Sequence, residues 1–402
     1  MHARSFRKVR GLAAAALLGT VALVACGGDD AAAPPVVVST ELTTRWDLLP
    51  HRLSRLEVTF RPDADGAGGA VVGQDDGGSF GAVDRAVARQ AFTLYRGDAL
   101  AQTALSVDLE IAPTGGTDPE AFVATGEARA AAGAVAGTAA QIAVLRGYRI
   151  STDEYATPPP FETDPDLPYL PGDGFTTQGL GLQLGEPRLD GDDVVVPVTA
   201  RVSLAPSDRP DMNAAIPDAR VWLRVDVLVI GAVGATGHAA RGEVAYALSY
   251  PSYGMDTEHA HADAAAQAVT IAGAPGLAGG VVGLSGFDVW LNAPGHGDPT
   301  CVVVQDEINS WGEMVSGPGR YITELSARLA DVSYDATSGG AAAHLDLMLS
   351  NTSTFREVGN ECLALRGVAS LLQVDGEVEA VTVDPVEVEV SPGVTTARAI
   401  RF

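Results

Sequence analysis

Apolar and polar residues alternate with a period of two along much of this chain, and that period belongs to the strand, not the helix. Leu56-Glu57-Val58-Thr59-Phe60 alternates, and so does Leu105-Ser106-Val107-Asp108-Leu109-Glu110-Ile111. Successive strand side chains point to opposite faces, so each run reads as a strand with one buried face. The clearest hairpin joins Leu180–Leu189 to Val194–Leu204 through Asp190-Gly191-Asp192-Asp193, because Asp-Gly between apolar runs favours a tight turn. Further strands are expected over 221–230, 242–250, 281–291, 321–334, 344–349, 363–374 and 378–390. Many short strands punctuated by Gly, Pro and Asp point to sandwiches or barrels.

An internal repeat underlies the pattern. Leu105–Ile111 matches Val244–Tyr250, Gly147-Tyr148-Arg149-Ile150 matches Gly286-Phe287-Asp288-Val289, and Gly172-Asp173-Gly174 matches Gly317-Pro318-Gly319. The three matches are collinear, as a duplication requires. Each copy also carries an Ala-rich run after a helix-start signal. Thr117-Asp118-Pro119-Glu120 precedes the run to Ala132, and Asp256-Thr257-Glu258 precedes the run to Ala266. The expectation is therefore a mainly β chain of two tandem, duplicated β-sandwich-like domains, each with one short helix. The domains run over 41–237 and 238–402, and each holds a long irregular stretch at the same place, 157–174 and 292–319. Long loops on a rigid β frame are where binding function usually sits.

The first 26 residues are of another kind. Arg4, Arg7, Lys8 and Arg10 precede an apolar run from Leu12 to Val24, the anatomy of a secretory signal. Leu23-Val24-Ala25-Cys26 resembles the lipobox of bacterial lipoproteins. That resemblance implies a signal peptide over 1–25, lipidation of Cys26, and a tether over 26–40. It also implies anchoring in the cell envelope, because two acyl chains hold a protein on a bilayer where one binds marginally. Gly27 stands where inner-membrane lipoproteins often carry Asp, so the outer membrane is expected.

Charge narrows the partners. The chain has 26 basic and 51 acidic residues, net −25, and its only lysine, Lys8, lies in the signal segment. So negative a surface argues against nucleic acid, whose binding runs on phosphate neutralisation. The remaining partners are the membrane, through the lipid anchor, and an envelope protein or glycan. Lipidation of Cys26 leaves Cys301 and Cys362 as a pair in an oxidising compartment, where a disulfide is the natural state.

Chemistry-bearing patterns are few. Glu258-His259-Ala260-His261-Ala262-Asp263 is similar to the opening of the metallo-β-lactamase metal motif, which continues with His where this chain has Ala264. On a strand His259 and His261 share a face; on the expected helix they point about 200° apart. His238 or His296 would have to supply a further ligand of a metal-dependent hydrolase centred on His259, His261 and Asp263. Gly77-Gly78-Ser79-Phe80-Gly81 fits the nucleophile elbow in letters, without the strand and helix that motif needs. Calcium has candidate carboxylates at Asp63 and Asp65, Asp164 and Asp166, and Asp190, Asp192 and Asp193, although Gln74 occupies the twelfth place where an EF-hand needs Glu. Trp290 continues an apolar strand. Trp311, with His296, Asp298, Asp306 and Glu307 near in sequence, would suit a sugar or peptide. The expected role is binding or structure rather than catalysis, with no required cofactor. Calcium is the ion to test, and the alternative it would support is a calcium-stabilised adhesin that binds glycans.

Overall fold

Valine-rich alternating segments need partners for both their backbone and their apolar face, and here strands supply both. The computed structural model describes residues 35–48, 56–59, 67–68, 71–73, 83–111, 123–153, 175–206, 220–253, 261–291, 306–308, 314–316, 320–353, 358–390 and 398–399. The N-terminal strands are β1 (Val36–Leu48), β2 (Leu56–Thr59), β3 (Ala67–Gly68), β4 (Val71–Gly73) and β5 (Val83–Arg96). Next come β6 (Leu100–Ile111), β7 (Val123–Ala131), β8 (Gln141–Asp153), β9 (Phe175–Leu184), β10 (Arg188–Asp190), β11 (Asp193–Pro206) and β12 (Arg220–Ala232). They are followed by β13 (Gly237–Tyr253), β14 (His261–Ile271), β15 (Gly279–Leu291), β16 (Asp306–Ile308) and β17 (Met314–Ser316). The chain ends with β18 (Arg320–Asp335), β19 (Gly340–Ser353), β20 (Val358–Val374), β21 (Glu379–Val390) and β22 (Arg398–Ala399). The only helical element among the described residues is a 3-10 turn, Gly133–Val135.

The mainly β expectation holds, and the Asp190-Gly191 turn closes its hairpin with Gly191 at φ 65°. The two expected helices do not form where residues are described. Val123–Ala131 is strand β7, paired with β11, and His261–Ile271 is strand β14, paired with β19. Alanine's helix preference is worth only tenths of a kcal/mol per residue, and tertiary pairing overrides it. The period was already two: Val123, Thr125, Glu127 and Arg129 are exposed while Ala128 is buried. The 292–319 stretch also contains a small hairpin, β16 with β17.

Two stretches of chain repeat one pairing scheme. Between 100 and 232, β12 lies between β6 and β8, and β11 pairs with both β7 and β9. Between 237 and 374, β20 lies between β13 and β15, and β19 lies between β14 and β18. In each stretch the first-sixth-third layer packs on the second-fifth-fourth layer as a sandwich. A Cβ on Gly126 of β7 would come within 2.5 Å of Leu109 of β6, and one on Gly367 of β20 would overlap Leu345 of β19. Leu109, Val196, Leu345 and Leu365 belong to one continuous core.

Sheets run across the expected boundary near 237. β9 pairs with β15 and β1 pairs with β18 across it, while β2 pairs with β8 within the first stretch. Residues 33–402 accordingly form one unit. The fourth strand of each sandwich would otherwise be an open edge, and pairing it with the third strand of a neighbour removes that edge.

Three strands meet at the centre of this arrangement. Val38 in β1, Val144 in β8 and Gly283 in β15 each lie one residue before a register shift, after Ser39, Leu145 and Leu284 respectively. A Cβ on Gly283 would stand 2.5 Å from Val144 Cγ1 and 2.9 Å from Val38 Cγ1. Val36, Ile142, Val281, Leu228, Ile230 and Leu372 surround them as a second, smaller core. Beyond the bulges Leu42, Tyr148 and Phe287 turn into the larger core, the two rings 6.2 Å apart at 52°.

Candidate functional site

Strand direction sorts every connection to one of two ends. The small core takes the first residues of β1, β6, β8 and β15 (Val36, Leu100, Ile142, Val281) and the last of β12 and β20 (Ala232, Val374). This closed end therefore holds short connections: 132–140, 185–187, 233–236, 272–278, 336–339 and 375–378. The strand ends on the opposite side, the open end, flank 112–122, 154–174 and 207–219, each longer than any of these, and also 49–55, 74–82, 254–260, 354–357 and 391–397. Between β15 and β18 the same end flanks 292–319, where only β16 and β17 are described.

His259, Trp311, His296, Asp298, Cys301, Ser79, Asp63, Asp65, Asp164, Asp166 and Cys26 lie outside the described residues. His261 and Asp263 open β14, opposite Asn351 and Leu349. Cys362 lies early in β20, opposite Ser249. Trp290 closes β15 opposite Ala364, and Asp306 and Glu307 begin the β16–β17 hairpin. His238 is not at the open end. It pairs with Gln373 near the start of β13, and nearby Gly242 packs on Val269 and Ile271 at the far end of β14. Eight residues of strand, about 26 Å at the usual rise, separate Val269 from His261, so His238 is no partner for a metal at His261. Among the described residues no three His, Cys, Asp or Glu side chains gather as a metal site.

The Asp190, Asp192 and Asp193 turn is at the closed end, and two of its carboxylates are committed. Arg129 reaches Asp190 Oδ2 at 2.6 Å and Asp193 Oδ2 at 3.2 Å, while Arg188 reaches Glu127 Oε1 at 2.6 Å. The Arg129 guanidinium holds the Asp190 carboxyl below the usual range. This is a surface ion-pair lattice across β7, β10 and β11 rather than an open oxygen cage. Asp335, at the closed-end turn after β18, is also held low, by the Ser338 hydroxyl and the Thr337 amide.

One polar arrangement escaped the sequence reading. Arg89 in β5, Arg224 in β12 and Arg366 in β20 face Thr43, Arg149 and Asp288, each two residues past the shifted pair. Each arginine ties strands together. Arg89 Nε is 3.2 Å from Glu41 Oε1. Arg224 donates to Ser106 Oγ at 2.9 Å and to Asp226 Oδ1 at 3.4 Å. Arg366 grips both oxygens of Glu243, at 2.5 and 2.9 Å, which lowers the carboxyl's pKa. Arg201 adds a 3.1 Å contact from β11 to the buried Asp288 of β15, across the junction between sandwiches. Only a shared register past a bulge identifies this set.

Buried polar groups serve the closed end. Gln373 takes the Ala274 N–H at 2.7 Å and donates to the Ala274 carbonyl at 2.8 Å and to the Tyr334 hydroxyl at 3.1 Å. The Tyr95 hydroxyl donates to the Val282 carbonyl at 3.0 Å, and burial pushes its pKa up to about 12. Ser285 donates to the Ala143 carbonyl at 2.7 Å and shares a 2.5 Å contact with the Ser370 hydroxyl. These groups are matched to one another and build structure, with no nucleophile paired to a base. No protein-family model matches the chain, no curated protein is similar to it in sequence, and no solved structure matches its fold.

Proposed function

We propose that the chain is a lipid-anchored protein of the bacterial cell envelope that acts by binding or as a structural element, through the open end of a rigid β frame. The observation that carries this reading is the polarity of the strands. β1 starts at the closed end, where the Pro35 carbonyl accepts a hydrogen bond from Gln102 Nε2 at 3.1 Å, ten residues after the lipobox Cys26. The nine residues from 27 to 35 span at most about 30 Å. β12 is 13 residues long, so the open end lies about 43 Å along the strands from the closed end. A lipid on Cys26 would thus tether the short-turn end, leaving the long connections on the far side of the body. Net acidity supports the same orientation, because anionic headgroups repel it and do not draw the body flat onto the surface.

The test is fractionation of a Gram-negative host expressing the full chain and its Cys26→Ser variant. The proposal expects acyl label and membrane association in the first and loss of both in the second. An unlabelled protein, or a variant that stays membrane-bound, would refute the anchor. A metal-dependent role has one feature in its favour: β14 is a strand, which places His261 and Asp263 two residues apart on an extended backbone. Metal content of the purified protein and its melt with and without EDTA test that second reading.

A further inference from the structure

The chain contains two complete six-strand schemes, and the strands left over are more informative than either. Those leftovers are β1 to β5 at the N-terminal side and β21 and β22 at the C-terminal side. β5 lies between β21 and β1, as β12 lies between β6 and β8 and as β20 lies between β13 and β15. β4 pairs with β2, as β11 pairs with β9 and β19 with β18. β22 pairs with β3, which matches the second-with-fifth pairing of the other two schemes. Taken in the order β21, β22, β1, β2, β3–β4, β5, the leftovers are the same six-strand unit.

The links between units also go round without a break. The fourth strand of one pairs with the third strand of the next in β2–β8, β9–β15 and β18–β1. A tandem row would leave the first and last of these strands unpaired, whereas the third link returns to the start. Contact of Gly283 with both Val38 and Val144 puts the three third strands around one line. We infer that the fold is a closed ring of three equivalent units, the third assembled from both ends of the chain, with β21–β22 as the clasp that completes it.

The clasp has a definite job. β21 covers β5 from Ala86 to Arg96, and without it that edge is bare. The unit that bears the N-terminal tether is finished only by residues 375–402. Until they dock, β5 is an open template for pairing with other chains.

Two chains test the ring, both compared with soluble residues 27–402. The first is a circular permutant, 375–402 followed by 27–374. Residues 400–402 and 27–35 then join β22 to β1 as a 12-residue connection, against nine residues between β7 and β8 and seven between β14 and β15. The ring predicts a monomer with the parental β circular dichroism and a cooperative melt within about 5 °C of the parent. The second chain stops at 374. It should lose its cooperative melt or associate through β5, and adding a separate 375–402 peptide should restore the monomer and the melt. A permutant without a cooperative melt, or a truncation that melts and sediments like the parent, would overturn the inference.

Discussion

If Val38, Val144 and Gly283 share one small volume, that volume admits two valine side chains and no third, and which strand carries the glycine is secondary. Gly283→Val alone places a Cβ 2.5 Å from Val144 Cγ1, 2.9 Å from Val38 Cγ1 and 3.1 Å from Val144 Cβ. Valine rotamers are stiff, so relief must come from the backbone, and overpacking of this kind costs about 1–3 kcal/mol. Val144→Gly alone removes a wholly buried side chain and adds chain entropy to the unfolded state, together about 2–4 kcal/mol. The double variant moves the glycine one strand round the ring and restores the total volume. Its loss should fall short of the sum of the singles by about 2 kcal/mol, within the range seen for contacting residues. Urea unfolding of 27–402 and the three variants, followed by circular dichroism and tryptophan fluorescence, gives the cycle. Additivity to within about 0.5 kcal/mol would mean that the two positions do not share space, and the argument for convergence would fail.

Two further buried groups give independent tests. Gln373→Ala strips partners from the Ala274 N–H and carbonyl, each costing about 1–3 kcal/mol when left unmet, so a loss near 3 kcal/mol and faster exchange of the Ala274 amide are expected. A loss below about 1 kcal/mol would show that the closed-end turn rearranges freely. Tyr95 keeps its proton in the folded state up to about pH 12 while the unfolded chain releases it near pH 10. Stability should therefore fall by about 2–3 kcal/mol as pH rises between those values, and Tyr95→Phe should remove that slope; an unchanged slope in the variant would assign it to other groups.

Some features were legible in the residues because they are local. Period-two alternation marked many of the strands, Asp190-Gly191 marked a turn, and the three collinear matches lie on β6 and β13, on β8 and β15, and just before β9 and β18. The Ala-rich runs were misread because alanine carries a helix preference but no strong strand signal, and pairing with β11 and β19 decided the matter.

Partner choice was not legible. A strand's sequence states which face is buried, not which strand lies beside it, because backbone hydrogen bonds are the same for every neighbour. Hence the sheets that cross residue 237, the matched arginines Arg89, Arg224 and Arg366, and the return of β21 to β5 appear only in the tertiary structure. The same holds for the two ends of the molecule. Loop lengths are plain in sequence, yet only antiparallel pairing puts the long connections on one side and the start of β1 on the other. The residues alone determined that most of this chain folds as strands; long-range pairing, a property of two segments at once, decided that they close into one body with a closed end and an open one.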